Sequence, residues 1–104
     1  PMLEMDYCER KITVPEEYEE KDGIVVPRYF IDTNNHMNNA KYVMVAEEYL
    51  PADFVVKEIR VEYKKAAVFG DVIIPRVTIS EKEVTVVLAD ADGKAYATIL
   101  FIAR

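Results

Sequence analysis

Hydrophobic and polar positions alternate regularly in the second half of the chain. Residues 58–63 read E-I-R-V-E-Y, with an apolar side chain at every second position, as in a strand with one buried face. Three more segments rich in β-branched residues follow, separated by short turn-forming stretches. The pattern therefore predicts strands over residues 54–67, 72–79, 83–89 and 95–103.

A different pattern occupies residues 24–50. Residues 24–31 read I-V-V-P-R-Y-F-I and predict a first strand, with Pro27 at an edge or a bulge. Residues 32–39 are mostly short polar side chains typical of turns and helix caps. Residues 40–50 contain no Gly or Pro and predict a helix that Pro51 ends. Because the helix is apolar around most of its circumference, we expect other structure to enclose it.

The order of elements predicts an α+β fold, in which an antiparallel sheet of about five strands wraps around one central helix. A length of 104 residues fits a single domain. Residues 1–23 contain eight acidic and three basic residues and predict an acidic N-terminal arm or linker. Residues 24–104 form the predicted domain.

Composition excludes several classes of function. The net charge of -6 argues against a nucleic-acid partner, since phosphate binding needs clustered cations. Cys8 is the only cysteine, which predicts neither a disulfide nor a cysteine metal site and favours a cytoplasmic location. No segment is apolar for long enough to predict a membrane span.

The chemistry-bearing residues are concentrated in the loop before the helix. Asp32, Asn34 and the only histidine, His36, are spaced so that an extended loop would place them on one side. The following helix N-terminus offers unpaired N–H groups for an oxyanion. This combination suits acyl transfer, although a histidine with only surface hydrogen bonds is an equally ordinary reading of a lone loop histidine.

The motif D-T-N-N-H-M-N-N-A-K-Y (residues 32–42), followed by V-E-Y-K-K (residues 61–65), closely resembles the acyl-acyl carrier protein thioesterases, bacterial type. The match lies in their second, C-terminal hotdog domain and covers most of residues 10–103. The resemblance implies a hotdog fold and hydrolysis of the fatty acyl thioester of acyl carrier protein in fatty acid biosynthesis. It also implies no metal and no cofactor, because the substrate itself carries the phosphopantetheine.

The resemblance also implies roles for individual residues. Asp32 would be the nucleophile or the base for water, Asn34 would orient it, and His36 would supply a hydrogen bond or a proton. The N–H groups of residues 38–40 would hold the oxyanion. Those three residues are Asn38, Asn39 and Ala40.

One departure from the family pattern concerns the acid that plant members have after E-Y-R-R. Here Ala66 and Ala67 follow Lys65, so position 66 cannot do acid–base work. Glu62 and Glu48 are candidate assisting acids, although solvated or paired carboxylates are the more ordinary reading of both. A contact to an acidic carrier protein is predicted for three lysines, for which a solvated role is equally ordinary. They are Lys41, Lys64 and Lys65.

A second departure is length, because the family's enzymes carry two hotdog domains in one chain. We expect this chain to form a homodimer or to pair with a missing first hotdog domain. Two alternatives to the acyl carrier protein substrate remain open. One is a single-domain hotdog acyl-CoA thioesterase, and the other is a non-catalytic half that binds an acyl chain or a partner domain.

Overall fold

The computed structural model describes residue 12 and residues 14–104. These residues form one α-helix and six strands that belong to an antiparallel sheet. The helix is α1 (Asn39–Glu47), and the strands are β1 (Glu19–Glu20), β2 (Ile24–Val25), β3 (Val56–Tyr63), β4 (Val72–Ile79), β5 (Glu83–Ala89) and β6 (Ala95–Ala103). The strand order is β1-β4-β5-β6-β3, and β2 also pairs with β4.

The last three strands have the predicted bounds, whereas the first two predicted strands are shorter. Lys64 and Lys65 both donate their N–H groups to Tyr96 O, so the regular ladder of β3 ends at Tyr63. The predicted strand 24–31 is a strand only over β2. Pro27 has no N–H to continue the ladder, and residues 28–30 instead form a 3-10 turn.

Helix α1 begins one residue earlier and ends three residues earlier than predicted. Asn38 is its N-cap, and the side-chain Oδ1 accepts a hydrogen bond from Ala40 N at 2.8 Å. After Glu47 the hydrogen bonds connect residues three apart, so the last turn tightens before Pro51. The prediction of an enclosed helix holds for one face only, since Met44 is 40% exposed.

The core lies between α1 and the concave face of the sheet. Helix residues Tyr42, Val45 and Ala46 are buried against alternate residues of β5 and β6, among them Val86 and Ile99. The predicted α+β fold, one antiparallel sheet around one helix, is confirmed. The strand beyond the predicted five is β1, which lies in the acidic segment and is too short to produce a periodic pattern.

Two described residues of the predicted N-terminal arm, Ile12 and Glu17, form hydrogen bonds to strands of the sheet. Ile12 is buried, and its N–H donates to Glu62 Oε1 at 3.1 Å. Further along, Thr78 Oγ1 donates to Glu17 O at 2.6 Å, and β1 pairs with β4. The predicted boundary at residue 23 stays a prediction. Within the described residues, no helix is long and apolar enough to cross a membrane.

Candidate active site

The loop of residues 32–37 is closed by its own hydrogen bonds rather than extended. An antiparallel bridge joins Ile31 to Met37, and Asp32 N donates to His36 O at 3.0 Å. Asn35 closes the turn with a positive φ of 67°, a conformation that Asn tolerates better than most residues. The predicted extended loop is therefore a tight turn, yet its polar side chains still converge.

The Asp32 carboxylate is oriented by the backbone of the same turn. Its Oδ1 accepts a hydrogen bond from Asn34 N at 2.8 Å, and the residue is half-buried. Its Oδ2 accepts no hydrogen bond from the described residues. One carboxylate oxygen is thus held in place while the other remains available to a substrate or a water molecule.

Of the N–H groups predicted for an oxyanion, two are already engaged within the protein. Asn38 N donates to Phe30 O at 2.9 Å, and Ala40 N donates to the Asn38 side chain. The Asn39 N–H has no acceptor among the described residues. At the first turn of α1 it is the donor that remains for a developing oxyanion.

A second wall, residues 64–67, faces this loop across a cleft and is held by other elements. Met37 N donates to Ala67 O at 2.8 Å, and Ala67 N donates to the hydroxyl of Tyr42 on α1 at 2.9 Å. The N–H groups of residues 64–65 both reach Tyr96 O on β6. Burial raises the pKa of the Tyr42 phenol, which therefore stays protonated.

Between the two walls lies a cleft of ≈ 550 Å³ that is open to solvent. The three predicted catalytic residues line it together, and Ala66 lies on the opposite wall. Its lining residues are Asp32, Asn34, His36, Met37, Asn38, Asn39, Tyr42, Tyr63, Lys64, Lys65 and Ala66. Side chains from a loop, a helix and the end of a strand therefore meet at one place.

Some predicted site residues lie elsewhere. Glu48 caps the C-terminal end of α1, at the opposite end from the cleft, and Ala40 and Lys41 do not line the cleft. Glu62 is on the outer face of β3, where its carboxylate lies 2.8 Å from Lys64 Nζ. Neither candidate assisting acid is thus among the residues that line the cleft.

The two cleft lysines are both paired. Lys64 pairs with Glu62 on its own side of β3, whereas Lys65 forms a close ion pair with Asp90, on the turn between β5 and β6. The hydrogen bond from Lys65 is the main reason that the pKa of Asp90 falls to about 2, and the same bond raises the pKa of Lys65. Lys65 therefore stays charged while tied to another element.

Two tyrosines of the cleft did not stand out in the sequence as site residues. Tyr63 donates its hydroxyl proton to Asn39 O at 3.3 Å, and its ring packs edge to face on Tyr42 at 5.6 Å. Both tyrosines occupy positions whose spacing also fits a core residue. Their place in the two sequence motifs was the only feature of the sequence that could have identified them as site residues. No group of three or more metal-ligating side chains occurs among the described residues.

Comparison with known proteins identifies the family. The model of the family described as Acyl-ACP thioesterase C-terminal domain matches residues 13–98 of this chain. No curated protein matches the sequence.

Solved structures share the fold. An acyl-ACP thioesterase from Bacteroides thetaiotaomicron is similar at TM-score 0.72 and 17% identity, covering 89% of this chain and 42% of that chain. A hypothetical protein from Staphylococcus aureus in complex with CoA has TM-score 0.72 and 21% identity, covering 85% of this chain and 75% of that chain. A probable thioesterase from Escherichia coli has TM-score 0.66 and 23% identity, covering 79% of this chain and 77% of that chain.

These likenesses confirm the hotdog fold, and the chain spans less than half the length of the Bacteroides thioesterase. The family match extends over both walls of the cleft, from the turn at Asp32 to the segment around Ala66. The chain belongs to the family of acyl-ACP thioesterase C-terminal domains.

Proposed function

We propose that this domain hydrolyses the thioester between a fatty acyl chain and acyl carrier protein, releasing free fatty acid in cytoplasmic fatty acid biosynthesis. The observation that carries the proposal is the meeting of Asp32, Asn34 and His36 at one cleft beside the N-terminus of α1. Membership of the thioesterase family supports the same reaction. No resident metal or cofactor is part of the proposal, since the phosphopantetheine comes with the substrate.

The arrangement allows two routes for Asp32. As a base, its free Oδ2 takes a proton from water while the water oxygen attacks the carbonyl carbon. As a nucleophile, Oδ2 attacks that carbon itself, and water then hydrolyses the resulting anhydride. In both routes the C–S bond breaks, the Asn39 N–H stabilises the oxyanion, and His36 gives a hydrogen bond or proton to the departing sulfur.

Contact with an acidic carrier protein is proposed for two basic residues, Lys64 and Lys41. Lys64 lines the cleft, and Lys41 is half-buried with its Nζ 5.8 Å from the centre of the Phe30 ring. The positive charges of Lys64 at the cleft and of Lys41 near the start of α1 would attract an acidic partner. Lys65 was predicted for the same contact, but its ammonium pairs with Asp90 on the turn between β5 and β6.

A single-domain acyl-CoA thioesterase is the second candidate function. It is supported by the Staphylococcus aureus structure in complex with CoA, of which this chain covers 75%. The ratio of kcat/KM on acyl carrier protein and on CoA, with the same acyl chain, separates the two candidates. A non-catalytic hotdog half, favoured by the absence of an acid at Ala66, predicts binding of substrate without turnover.

Pairing with a second hotdog domain belongs to the proposal. Strand β3 is at an edge of the sheet, and its outer edge has no partner strand among the described residues. The cleft lies at the end of β3, where Tyr63 is 38% exposed. We therefore expect a homodimer, or a pair with a first hotdog domain. A monomer mass at micromolar concentration in sedimentation or light scattering would contradict the homodimer.

Release of free thiol from acyl-acyl carrier protein tests the reaction. Asp32→Asn keeps an acceptor for Asn34 N but removes the charge, and we expect it to lower kcat by about 10²–10⁴-fold. Asp53→Asn is the matched control, because Asp53 is exposed in a turn outside the cleft. His36→Ala should follow Asp32→Asn. Wild-type rates in both site variants would contradict the proposal.

A further inference from the structure

Lys65 connects the cleft wall to a distant part of the chain. Its ammonium pairs with Asp90 Oδ2 and lies 4.8 Å from the centre of the Tyr96 ring, and its N–H donates to Tyr96 O at 3.2 Å. Three contacts therefore hold one residue of the wall, and all of them come from the β5–β6 hairpin. The next residue, Ala66, lines the cleft together with Lys64 and Lys65.

The hairpin holds the Asp90 carboxylate ready for this contact. Asp90 Oδ1 accepts hydrogen bonds from Asp92 N and Lys94 N, both at 2.9 Å, and Gly93 N donates to Asp90 O. The carboxylate is thus fixed by its own turn, and Oδ2 is the oxygen left for Lys65. A pre-oriented acceptor loses little freedom on pairing, so the position of Lys65 is well defined.

The neighbouring residue, Lys64, forms an ion pair that connects no distant parts of the chain. Lys64 pairs with Glu62, two residues earlier on the same edge strand, so that pair joins no separate elements. The Lys65–Asp90 pair instead spans 25 residues of sequence and ties the wall to the sheet. Solvent-exposed pairs contribute little to stability, so the consequence of this pair is geometric.

We infer that Lys65 is a positioning residue, which with Asp90 and Tyr96 fixes the 64–67 wall opposite Asp32 and His36, rather than a contact for the carrier protein. The inference rests on the proposed thioester hydrolysis. A wall displaced by about 1 Å changes the distance between the substrate carbonyl and Asp32, which lowers kcat. Substrate binding is left largely intact, because the Lys65 ammonium is engaged by Asp90 and the Tyr96 ring rather than offered to the carrier.

The test compares Lys65→Gln, Asp90→Asn and the double variant of the full chain on acyl-acyl carrier protein and on acyl-CoA with the same acyl chain. Lys94→Gln removes a cation from the same turn and is the control. We expect both single variants to lower kcat about tenfold on both carriers, with KM within about twofold of wild type. The double variant should be no slower than the slower single variant, because both remove one contact.

Amide hydrogen exchange gives a readout that does not need activity. Ala67 N–H is bound to the Tyr42 hydroxyl, and Met37 N–H to Ala67 O, so both report how firmly the wall is held. We expect faster exchange at these two amides in Lys65→Gln and Asp90→Asn, but not in Lys94→Gln, with β5 unchanged.

Two results would overturn the inference. In the first, Lys65→Gln raises KM for acyl-acyl carrier protein alone while Asp90→Asn behaves as wild type, which makes Lys65 a carrier contact. In the second, neither variant differs from Lys94→Gln in kcat or in exchange. If the wild-type chain hydrolyses neither substrate, the proposed function fails, and the exchange rates alone decide the role of Lys65.

Discussion

The wall formed by residues 32–39 and the wall formed by residues 64–67 differ in the origin of the hydrogen bonds that shape them. The first wall closes mainly on itself, through the bonds of Asp32 and Asn35 and the Asn38 cap. The second wall is held by Tyr42 from the helix and by Tyr96 and Asp90 from the hairpin. The predicted catalytic side chains are all on the first wall, and the second presents Lys64, Lys65 and Ala66.

The difference shows that one side of a cleft can be shaped by hydrogen bonds within a short segment, while the other side is shaped by hydrogen bonds from distant elements. A self-closing turn keeps its geometry as long as its own side chains are present, because each donor and acceptor is only a few residues apart. The second wall depends on groups that are 25 to 32 residues away in sequence, as the bonds to Asp90 and Tyr96 illustrate. Changes on the first wall should therefore alter chemistry, and changes on the second should alter geometry.

Of the changes that test this difference between the walls, giving the second wall an acidic group is expected to have the largest effect. Ala66→Glu places a carboxylate at an exposed position that lines the cleft, where the resemblance places the family acid. We expect kcat for thioester hydrolysis to rise by about 100-fold, the lower end of what a positioned general base contributes. Steady-state release of free thiol measures the change.

Ala66→Gln is the matched control, because it has the size of Glu without its charge. An equal rate in Ala66→Glu and in wild type would show that the chemistry needs no acid on the second wall. A rise in both variants would show that side-chain bulk, not charge, was missing.

A smaller effect is expected when the second wall loses its bond to the helix. Tyr42→Phe keeps the ring but removes the hydroxyl that accepts from Ala67 N, and Ala67 is fully buried. An unsatisfied buried N–H costs about 1–3 kcal/mol, so the free energy of unfolding should fall by that amount. Urea unfolding measures it, with Tyr29→Phe as control, because Tyr29 is 77% exposed. Equal midpoints for the two variants would contradict the prediction.

The smallest effect is expected at low pH, where the Lys65–Asp90 pair titrates. The pKa of Asp90 is lowered from 3.8 to about 2 in the folded chain, so its pairing stabilises the fold above about pH 4. That contribution is lost as the pH falls from about 4 towards 2. The difference in unfolding free energy between wild type and Asp90→Asn should shrink over this range.

The pair should remain formed through neutral and moderately alkaline pH. The pKa of Lys65 is raised above 10.5, so its contribution is complete below that value and is lost only at higher pH. Thermal unfolding of wild type and of Asp90→Asn is measured between pH 2 and pH 8. Lys94→Gln is the control, and its stability should follow the same pH dependence as that of wild type. A constant difference for Asp90→Asn would contradict the assignment of the low pKa.

Local patterns predicted much of the fold because strong periodicity leaves little choice. The limits of β4, β5 and β6 follow from apolar runs bounded by turn residues, and the fold class follows from the order of elements. The predicted strand limits were wrong near the start of the described residues, where an apolar run and a proline favour different structures. Pro27 ends β2 earlier than the apolar run suggests, and the two-residue β1 has no pattern at all.

The candidate site was predictable on one wall only. The motif around Asp32 and His36 identified the loop, and the structure brings those side chains to one cleft. The candidate acids Glu48 and Glu62 lie outside it, because a helix end and a strand face point away from the loop. No pattern in the sequence relates Lys65 to Asp90, since their meeting depends on the register of β6 against its neighbours.

By itself the sequence determined which residues form the polar loop, where the helix begins to within one residue, and the limits of β4, β5 and β6, because each depends on side chains a few positions apart. Only the tertiary structure decided which N–H groups remain for an oxyanion, where Ala66 lies, and how the second wall is held. The physical reason is that these features are made by hydrogen bonds between elements. Their partners are chosen by strand register and helix packing, which bring together groups that no local pattern connects.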